Sequence, residues 1–318
     1  MTNVVCFGGG TGLPVLLSGL KKNRDLEISA IVTMFDNGGS SGELRNQFGI
    51  LPPGDILKCL LMLSENAKEE SIRDLFLYRI EDGDPPNHTP GNMMLVGLQQ
   101  TYGIMKAVKI LQKIFRTKGN VYPVAIGSSH LCCAYTDGDV VHGETEVDEG
   151  IRKGKTPQRL YLMPTVQHNE DIQEVIGSAD AFCVGPGSLY TSIIPNFLPH
   201  GVKRMLMDST APIIFVSNLL TEGKGMTSSA LHHQIEIAEQ YIGREVTAII
   251  ANTKLPHEMS SEILEKYAKE KKYPILCNGE HDPRYVKRAL WTEPTLARHD
   301  SKLLSCAVHD ALNQLCPA

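Results

Sequence analysis

The sequence lacks the features that mark the common special-purpose classes. None of its eight cysteines, Cys6, Cys59, Cys132, Cys133, Cys183, Cys277, Cys306 and Cys316, belongs to a C-x-x-C pair. That excludes a zinc spacing and a disulfide framework, so a reducing compartment is expected. Several of these residues lie in apolar runs, where a reduced thiol behaves as a small hydrophobe. No apolar run approaches the roughly 18 residues of a membrane span, and no basic segment leads into an apolar one at the N-terminus as in a secretory signal. Positive charge is not in surplus, since the formal net charge is −5 and the pI is near 6.1, which argues against a nucleic-acid-binding face. There is no internal repeat, low-complexity tract or linker. The expectation is a cytoplasmic protein without a membrane span or a nucleic-acid partner, with a homodimer among the assemblies to be tested.

What is present is enough chain for a sizeable core: 318 residues, 42% of them hydrophobic. That length suits one large α/β domain over 1–318, or a core with an insertion. Val4-Val5-Cys6-Phe7, then Gly8-Gly9-Gly10-Thr11-Gly12, then Leu13 to Leu20 reads as strand, glycine turn and helix. Pro14 fits the first helical turn. Such a turn presents backbone N–H groups at a helix N-terminus, where the dipole favours an anion. A dinucleotide fingerprint would need a glycine at Leu13, and a P-loop would need Gly-Lys-Ser/Thr, so neither motif is met. Residues 28–33 form the next strand, giving a strand-helix-strand unit with a right-handed crossover.

That second strand runs into Asp36-Asn37-Gly38-Gly39-Ser40-Ser41-Gly42. Asp36 follows Gly12 by 24 residues, near the spacing at which dinucleotide folds place a ribose-binding acid. The second glycine and serine turn adds N–H and hydroxyl donors, and Arg45 offers a guanidinium that pairs with phosphate. Asp55, ahead of an apolar run, reads as a helix N-cap. Residues 50–118 read as an inserted helical block, and 121–164 as a small β section with a hairpin at Asp137-Gly138-Asp139. The alternating pattern then returns, with a helix over 171–178, strands at 181–184, 212–218 and 246–252, and a helix over 228–241. Lys254 to Lys272 reads as an exposed charged helix with loop, and 303–315 as an amphipathic helix. A third turn, Gly185-Pro186-Gly187-Ser188-Leu189-Tyr190-Thr191-Ser192, follows the strand at 181–184. Continuous β-branched strands imply a mostly parallel sheet covered on both faces. The three turns then share its carboxyl edge, where open α/β sheets bind ligands. The fold class is α/β, a Rossmann-like three-layer sandwich.

Five ordered segments, Phe7 to Leu13, Asp36 to Arg45, Pro52-Pro53-Gly54-Asp55-Ile56, Gly91-Asn92 and Gly185 to Asn196, resemble the CofD-like superfamily, most closely its YvcK branch of gluconeogenesis factors. The resemblance implies a protein that binds a nucleotide diphosphate compound, a UDP-sugar, a GDP-type molecule or NAD, and supports cell shape and growth on gluconeogenic carbon. The transferase branch, 2-phospho-L-lactate transferase, moves a phospholactyl group from a nucleotide-activated donor with magnesium. Ligand contacts are expected from Gly8, Gly9, Gly10, Thr11, Gly12, Asn37, Gly38, Gly39, Ser40, Ser41, Arg45, Asn92, Gly187, Ser188, Leu189, Tyr190, Thr191 and Asn218. If there is a reaction, Asp36 and Asp55 are its candidate catalytic groups and Asp36 the magnesium ligand. Where the family commonly carries two adjacent acids this chain has Asp36-Asn37, and Leu57-Lys58 replaces an Arg-Asn. Binding survives those changes better than catalysis. Two readings stay open, a nucleotide-binding regulator and a group transferase; a hydride-transferring oxidoreductase has no constellation to support it.

Overall fold

The structure is a computed structural model and describes residues 1–65, 70–80, 87–222, 231–257, 259–277 and 282–316. Strand β1 (Thr2–Gly8) leads through a glycine turn into α1 (Gly12–Leu20) and β2 (Leu26–Val32). Helices α2 (Gly39–Phe48), α3 (Gly54–Leu63), α4 (Glu70–Leu77), α5 (Pro90–Tyr102) and α6 (Ile104–Phe115) follow, then β3 (Asn120–Pro123), β4 (His130–Tyr135), β5 (Val140–His142), α7 (Glu144–Arg152) and β6 (Pro157–Met163). The remainder is α8 (Asp171–Gly177), β7 (Ala181–Val184), α9 (Val202–Asp208), β8 (Ile213–Val216), α10 (Leu231–Ile242), β9 (Ala248–Asn252), α11 (Ser261–Lys269), β10 (Tyr285–Arg288) and α12 (Ser301–Leu315).

The main sheet has the order β10-β9-β8-β7-β1-β2-β3, and every neighbouring pair is parallel. The chain winds outward from β1 to β3 on one side and from β7 to β10 on the other, so the order reverses between β1 and β7. Both faces are covered, as the β-branched strand runs predict. Val4 and Cys6 of β1 join the core made with α1, α3, α6 and α12. Val5 and Phe7, alternating with them, join the core made with α8, α9, α10 and the inner face of a separate antiparallel sheet, β5-β4-β6. This is the Rossmann-like three-layer arrangement that the sequence implies. Cys6, Cys59, Cys132, Cys133, Cys183 and Cys277 are buried.

Several boundaries differ from expectation. Residues 120–123 belong to the main sheet, not to the small β section. β3 is an edge strand, where Pro123 costs no ladder bond because its missing N–H would face away from β2. The Gly38 to Gly42 turn is largely helix, since α2 starts at Gly39 and closes at Gly49, whose φ of +64° favours a glycine. Asp55 is not an N-cap: Pro53 holds that position and Asp55 lies in the first turn of α3. Helices α7 and α9 and strand β10 have no counterpart in the expectation. The expected helix 228–241 falls partly outside the described residues, and its described part lies in α10.

One side chain fastens the β1 end to the segment after β7. Asn196 is fully buried, and its Nδ2 donates to the carbonyls of Gly8 (3.1 Å), Ser192 (2.8 Å) and Ile193 (3.3 Å). Asn196→Ala leaves those acceptors short of a donor in a dry core, at a cost of about 2 kcal/mol. The expected result in urea unfolding is a lower midpoint with an unchanged slope.

Candidate functional site

At the carboxyl edge the turn after β1 and the turn after β7 touch. A Cβ on Gly12 would collide with the carbonyl of Pro186, so glycine is required there by proximity, and Gly10 by its φ of +62°. Behind the second turn, Asn218 Nδ2 donates to Gly187 O at 2.8 Å and to Glu222 Oε1 at 2.9 Å, while its Oδ1 accepts from Gly187 N–H at 3.1 Å. Glu222 also accepts from Leu189 N–H at 2.7 Å and Ser188 Oγ–H at 2.9 Å. Burial pushes the Glu222 carboxyl up to about 7, against the pull of those donors.

Two cavities open here, of about 430 and about 620 Å³. The smaller is bounded by Thr11, Gly12, Gly187, Ser188, Asn218, Glu222, Tyr267 and Lys272. The larger is bounded by Asp36, Gly38, Gly39, Ser40, Ser41, Asn92, Lys58, Arg73 and Arg79. Thr11, Val15, Arg298 and His299 line both, so they are two halves of one cleft divided by the start of α1. Neither α1 nor α2 has a side-chain cap at its N-terminus or an acid in its first turn. Their first N–H groups therefore lack the usual partners, and both helix dipoles present positive ends to the cleft.

Opposite those ends stand carboxylates. Asp36 accepts from Gly38 N–H at 2.8 Å, and burial pushes its carboxyl up, helped by Asp55 and offset by Gly38, Lys58 and Arg45. Asp55 accepts from Gly10 N–H and pairs with Lys58 at 3.0 Å. Glu144, at the start of α7, is pushed up to about 7 by burial and then by Asp36 and Asp148, with the Thr191 hydroxyl pulling the other way. His299, buried and pulled down to about 4, contacts the Ser217 carbonyl through Nε2 at 3.1 Å.

The predicted site residues divide. Thr11, Gly12, Asp36, Gly38, Gly39, Ser40, Ser41, Asn92, Gly187, Ser188 and Asn218 border the cleft. Gly9 lies at its back, where an added Cβ would meet Thr33 and the Asp55 carboxylate. The Gly8 carbonyl accepts from Thr33 N–H and Asn196, and the Gly10 N–H is taken by Asp55. Leu189 and Tyr190 are core residues, 1% and 3% exposed. Thr191 bonds to Ser188, through its N–H and its hydroxyl. Arg45 does not reach into the cleft: Nη2 donates to the Ser129 carbonyl at 2.6 Å, which ties α2 to that loop. Asn218 has its amide committed to Gly187 and Glu222, so it holds the loop and is not free to read a base. Asn37 is likewise engaged, donating to Glu146 Oε2 at 3.0 Å and accepting from Thr145 N–H at 2.9 Å. The sequence reading missed Glu144, Glu222, Arg73, Arg79 and Arg298, which sit outside the segments that carry the family resemblance.

With this geometry in view, comparison with known proteins is informative. The profile of the family described as 2-phospho-L-lactate transferase CofD matches residues 4–294. The chain belongs to the CofD family. It is 38% identical over 262 residues to the gluconeogenesis factor of Listeria monocytogenes, covering 80% of this chain and 79% of that one. It is 36% identical over 277 residues to the gluconeogenesis factor of Bacillus subtilis, covering 86% and 84%. The crystal structure of a UPF0052-family protein from Bacillus halodurans matches with a TM-score of 0.88 at 33% identity, over 97% of this chain and 99% of that one. Membership of the superfamily and likeness to its gluconeogenesis factors are thus borne out.

Two substitutions probe the carboxylates around the cleft. Asn37→Asp would set a second carboxylate against Glu146, costing about 1 kcal/mol in thermal unfolding, and Glu146→Gln in the same chain should recover it. For Glu144 the carboxyl value in the fold, about 7, exceeds its ordinary 4.5. The protonated form is therefore favoured in the fold, and that stabilisation is full below about 4.5 and lost as pH rises through about 7. Glu144→Gln stays uncharged, so its melting temperature should draw ahead of the unsubstituted protein between about pH 5 and pH 8.

Proposed function

We propose that this CofD-family chain binds a nucleotide diphosphate compound, with the phosphates at the start of α1 and the two ends of the ligand in the two halves of the cleft. The observation that carries the reading is the meeting of two uncapped helix N-termini in one cleft, at the point where the strand order reverses. Thr11, Gly12, Gly39, Ser40 and Ser41 supply N–H and hydroxyl donors. Lys58, Arg73, Arg79 and Arg298 supply charge, Arg298 to both halves. Tyr267, in the smaller half, offers a ring face to a base. A UDP-sugar is the ligand we favour, from the resemblance to gluconeogenesis factors; GDP-type compounds and NAD are the alternatives.

A second reading, group transfer from a nucleotide-activated donor, is favoured by Asp36 beside Asp55 and Lys58, groups that could orient an acceptor and balance developing charge. Asn37 is already engaged, and no group of three His, Cys, Asp or Glu side chains among the described residues is placed to hold a metal. The residues present fit magnesium only as an ion carried by the ligand's phosphates, with Asp36 as its protein ligand. When bound there it would neutralise phosphate charge.

Isothermal titration with UDP-glucose, UDP-N-acetylglucosamine, GDP and NAD, alongside thermal unfolding, tests the first reading. Ligand at a hundred times its Kd should add about 2.7 kcal/mol of stability, and Arg298→Ala should weaken binding about tenfold by removing a charge-assisted hydrogen bond. No heat and no stabilisation with any of the four would end it. Release of nucleoside monophosphate from a donor in the presence of magnesium would favour the second.

A further inference from the structure

Ser40 lies in the first turn of α2 and borders the larger half of the cleft. Its Oγ is 2.7 Å from His88 Nδ1, and Asn92 Nδ2 donates to the same oxygen at 3.2 Å. An amide nitrogen only donates, so Asn92 occupies one lone pair of Oγ, and the other lone pair and the hydroxyl proton remain for the contact with His88. In the tautomer that accepts the hydroxyl proton at Nδ1, the ring carries its own proton on Nε2. That nitrogen is buried and has no hydrogen-bond partner. Glu43 Oε2 stands 3.8 Å from it, on an exposed side chain one turn along α2 from Ser40. Hydroxyl, imidazole and carboxylate thus follow one another in the order that activates a nucleophile: the base beside the hydroxyl, the acid beyond the base.

A histidine that merely braced α2 against the start of α5 would ordinarily have partners at both ring nitrogens, because most buried polar atoms are satisfied. Here the second nitrogen is buried and makes no hydrogen bond, and the Glu43 carboxylate must swing inward by about 1 Å to bond it. The surroundings of Ser40 suit an anionic electrophile. The N–H groups of Gly39, Ser40 and Ser41 open α2 without a side-chain cap, and Lys58, Arg73 and Arg298 border the same space. Donors so placed would hold the non-bridging oxygens of a phosphoryl group as charge builds on them.

We propose that Ser40 is a nucleophile activated by His88, with Glu43 as a positioning residue, and that it takes a phosphoryl group from a phosphoester or phosphoanhydride bound in the larger half of the cleft. The Oγ–P bond forms as the bond from phosphorus to the leaving oxygen breaks. The hydroxyl proton passes to His88 Nδ1 and from there to the departing oxyanion. A water oxygen then attacks the phosphorus as the P–Oγ bond breaks, releasing phosphate, and the imidazole takes the water's proton and returns it to Ser40 Oγ. The proposal does not depend on which nucleotide the cleft accepts: a chain that binds no nucleotide would keep a reactive serine, and a nucleotide binder with an inert serine refutes this step alone.

The test uses the full chain and an alkyl fluorophosphonate, which attaches phosphorus to an activated serine with loss of fluoride; the adduct is located by peptide mass spectrometry. A single adduct on Ser40 is expected, forming at least about 100-fold more slowly in His88→Gln, as for loss of a general base. Imidazole should restore part of the rate in His88→Ala. Glu43→Gln, on an exposed side chain, should slow labelling about threefold at an unchanged melting temperature, with Glu43→Asp closer to the unsubstituted rate. Excess inorganic pyrophosphate should slow labelling by filling the cleft. No adduct on Ser40, or the same rate in His88→Gln and Glu43→Gln, would overturn the proposal and leave the contact as a structural hydrogen bond. Should His88→Gln fail to fold, labelling of the unsubstituted chain and of Glu43→Gln decides the matter.

Discussion

The site depends on one close approach, that of the turn after β1 to the turn after β7. Their strands are neighbours in the sheet, so the turns emerge side by side, and only a glycine at position 12 lets the backbone of one meet the Pro186 carbonyl of the other. Everything nearby serves that contact. Asn196 draws the β1 end toward the segment after β7 from within the core, and Asn218 with Glu222 grips Gly187, Ser188 and Leu189 from outside. With the two turns fixed, α1 begins at the reversal of strand order and its N-terminus becomes the floor of a cleft, where a loose loop would have left only a groove.

This explains why a glycine-rich turn that matches neither common phosphate motif can still face a ligand. Of its backbone groups, the Gly8 carbonyl and the Gly10 N–H are spent on holding the turn, by Thr33, Asn196 and Asp55. Thr11 and Gly12 are what reach the cleft. The turn is thus half scaffold and half surface, and α2 supplies the donors that the first turn has committed elsewhere.

How much of this the sequence carried follows from which forces set each element. The unit from β1 to β2 and the strands β7, β8 and β9 are legible because buried parallel strands need unbroken apolar runs. Strand β10 is an edge strand reading Tyr-Val-Lys-Arg, with only Val286 buried, and edge strands disguise themselves with charge. Helix α2 is rich in Gly, Ser and Asn, poor helix formers, and it forms because Leu44 and Arg45 are anchored by tertiary contacts. The family motifs located the cleft, but motif membership does not say which way a side chain faces. Arg45, Tyr190 and Asn218 sit in or beside the right loops and spend their polar atoms or their bulk on holding them. Glu144 and Arg298 come from segments remote in sequence that only the topology brings to the same edge.

The electrostatics of the cleft follow from the same geometry. Two positive helix ends and the cationic side chains around the cleft would by themselves hold any anion, with little selectivity between phosphate and carboxylate compounds. Asp36, Asp55 and Glu144, crowded and partly desolvated near the start of α2, oppose that; burial raises the carboxyls of Asp36 and Glu144, and repulsion from neighbouring acids adds to it. An incoming diphosphate would have to align its oxygens with the N–H groups while keeping its other substituents clear of the acids, which favours ligands whose phosphates are flanked by neutral, hydroxyl-bearing groups. Hydroxyls can donate to those same carboxylates, so a sugar attached to a diphosphate relieves the crowding that a bare anion would worsen. The acids that weaken the cleft as an anion trap thus support the sugar nucleotide we propose as its ligand.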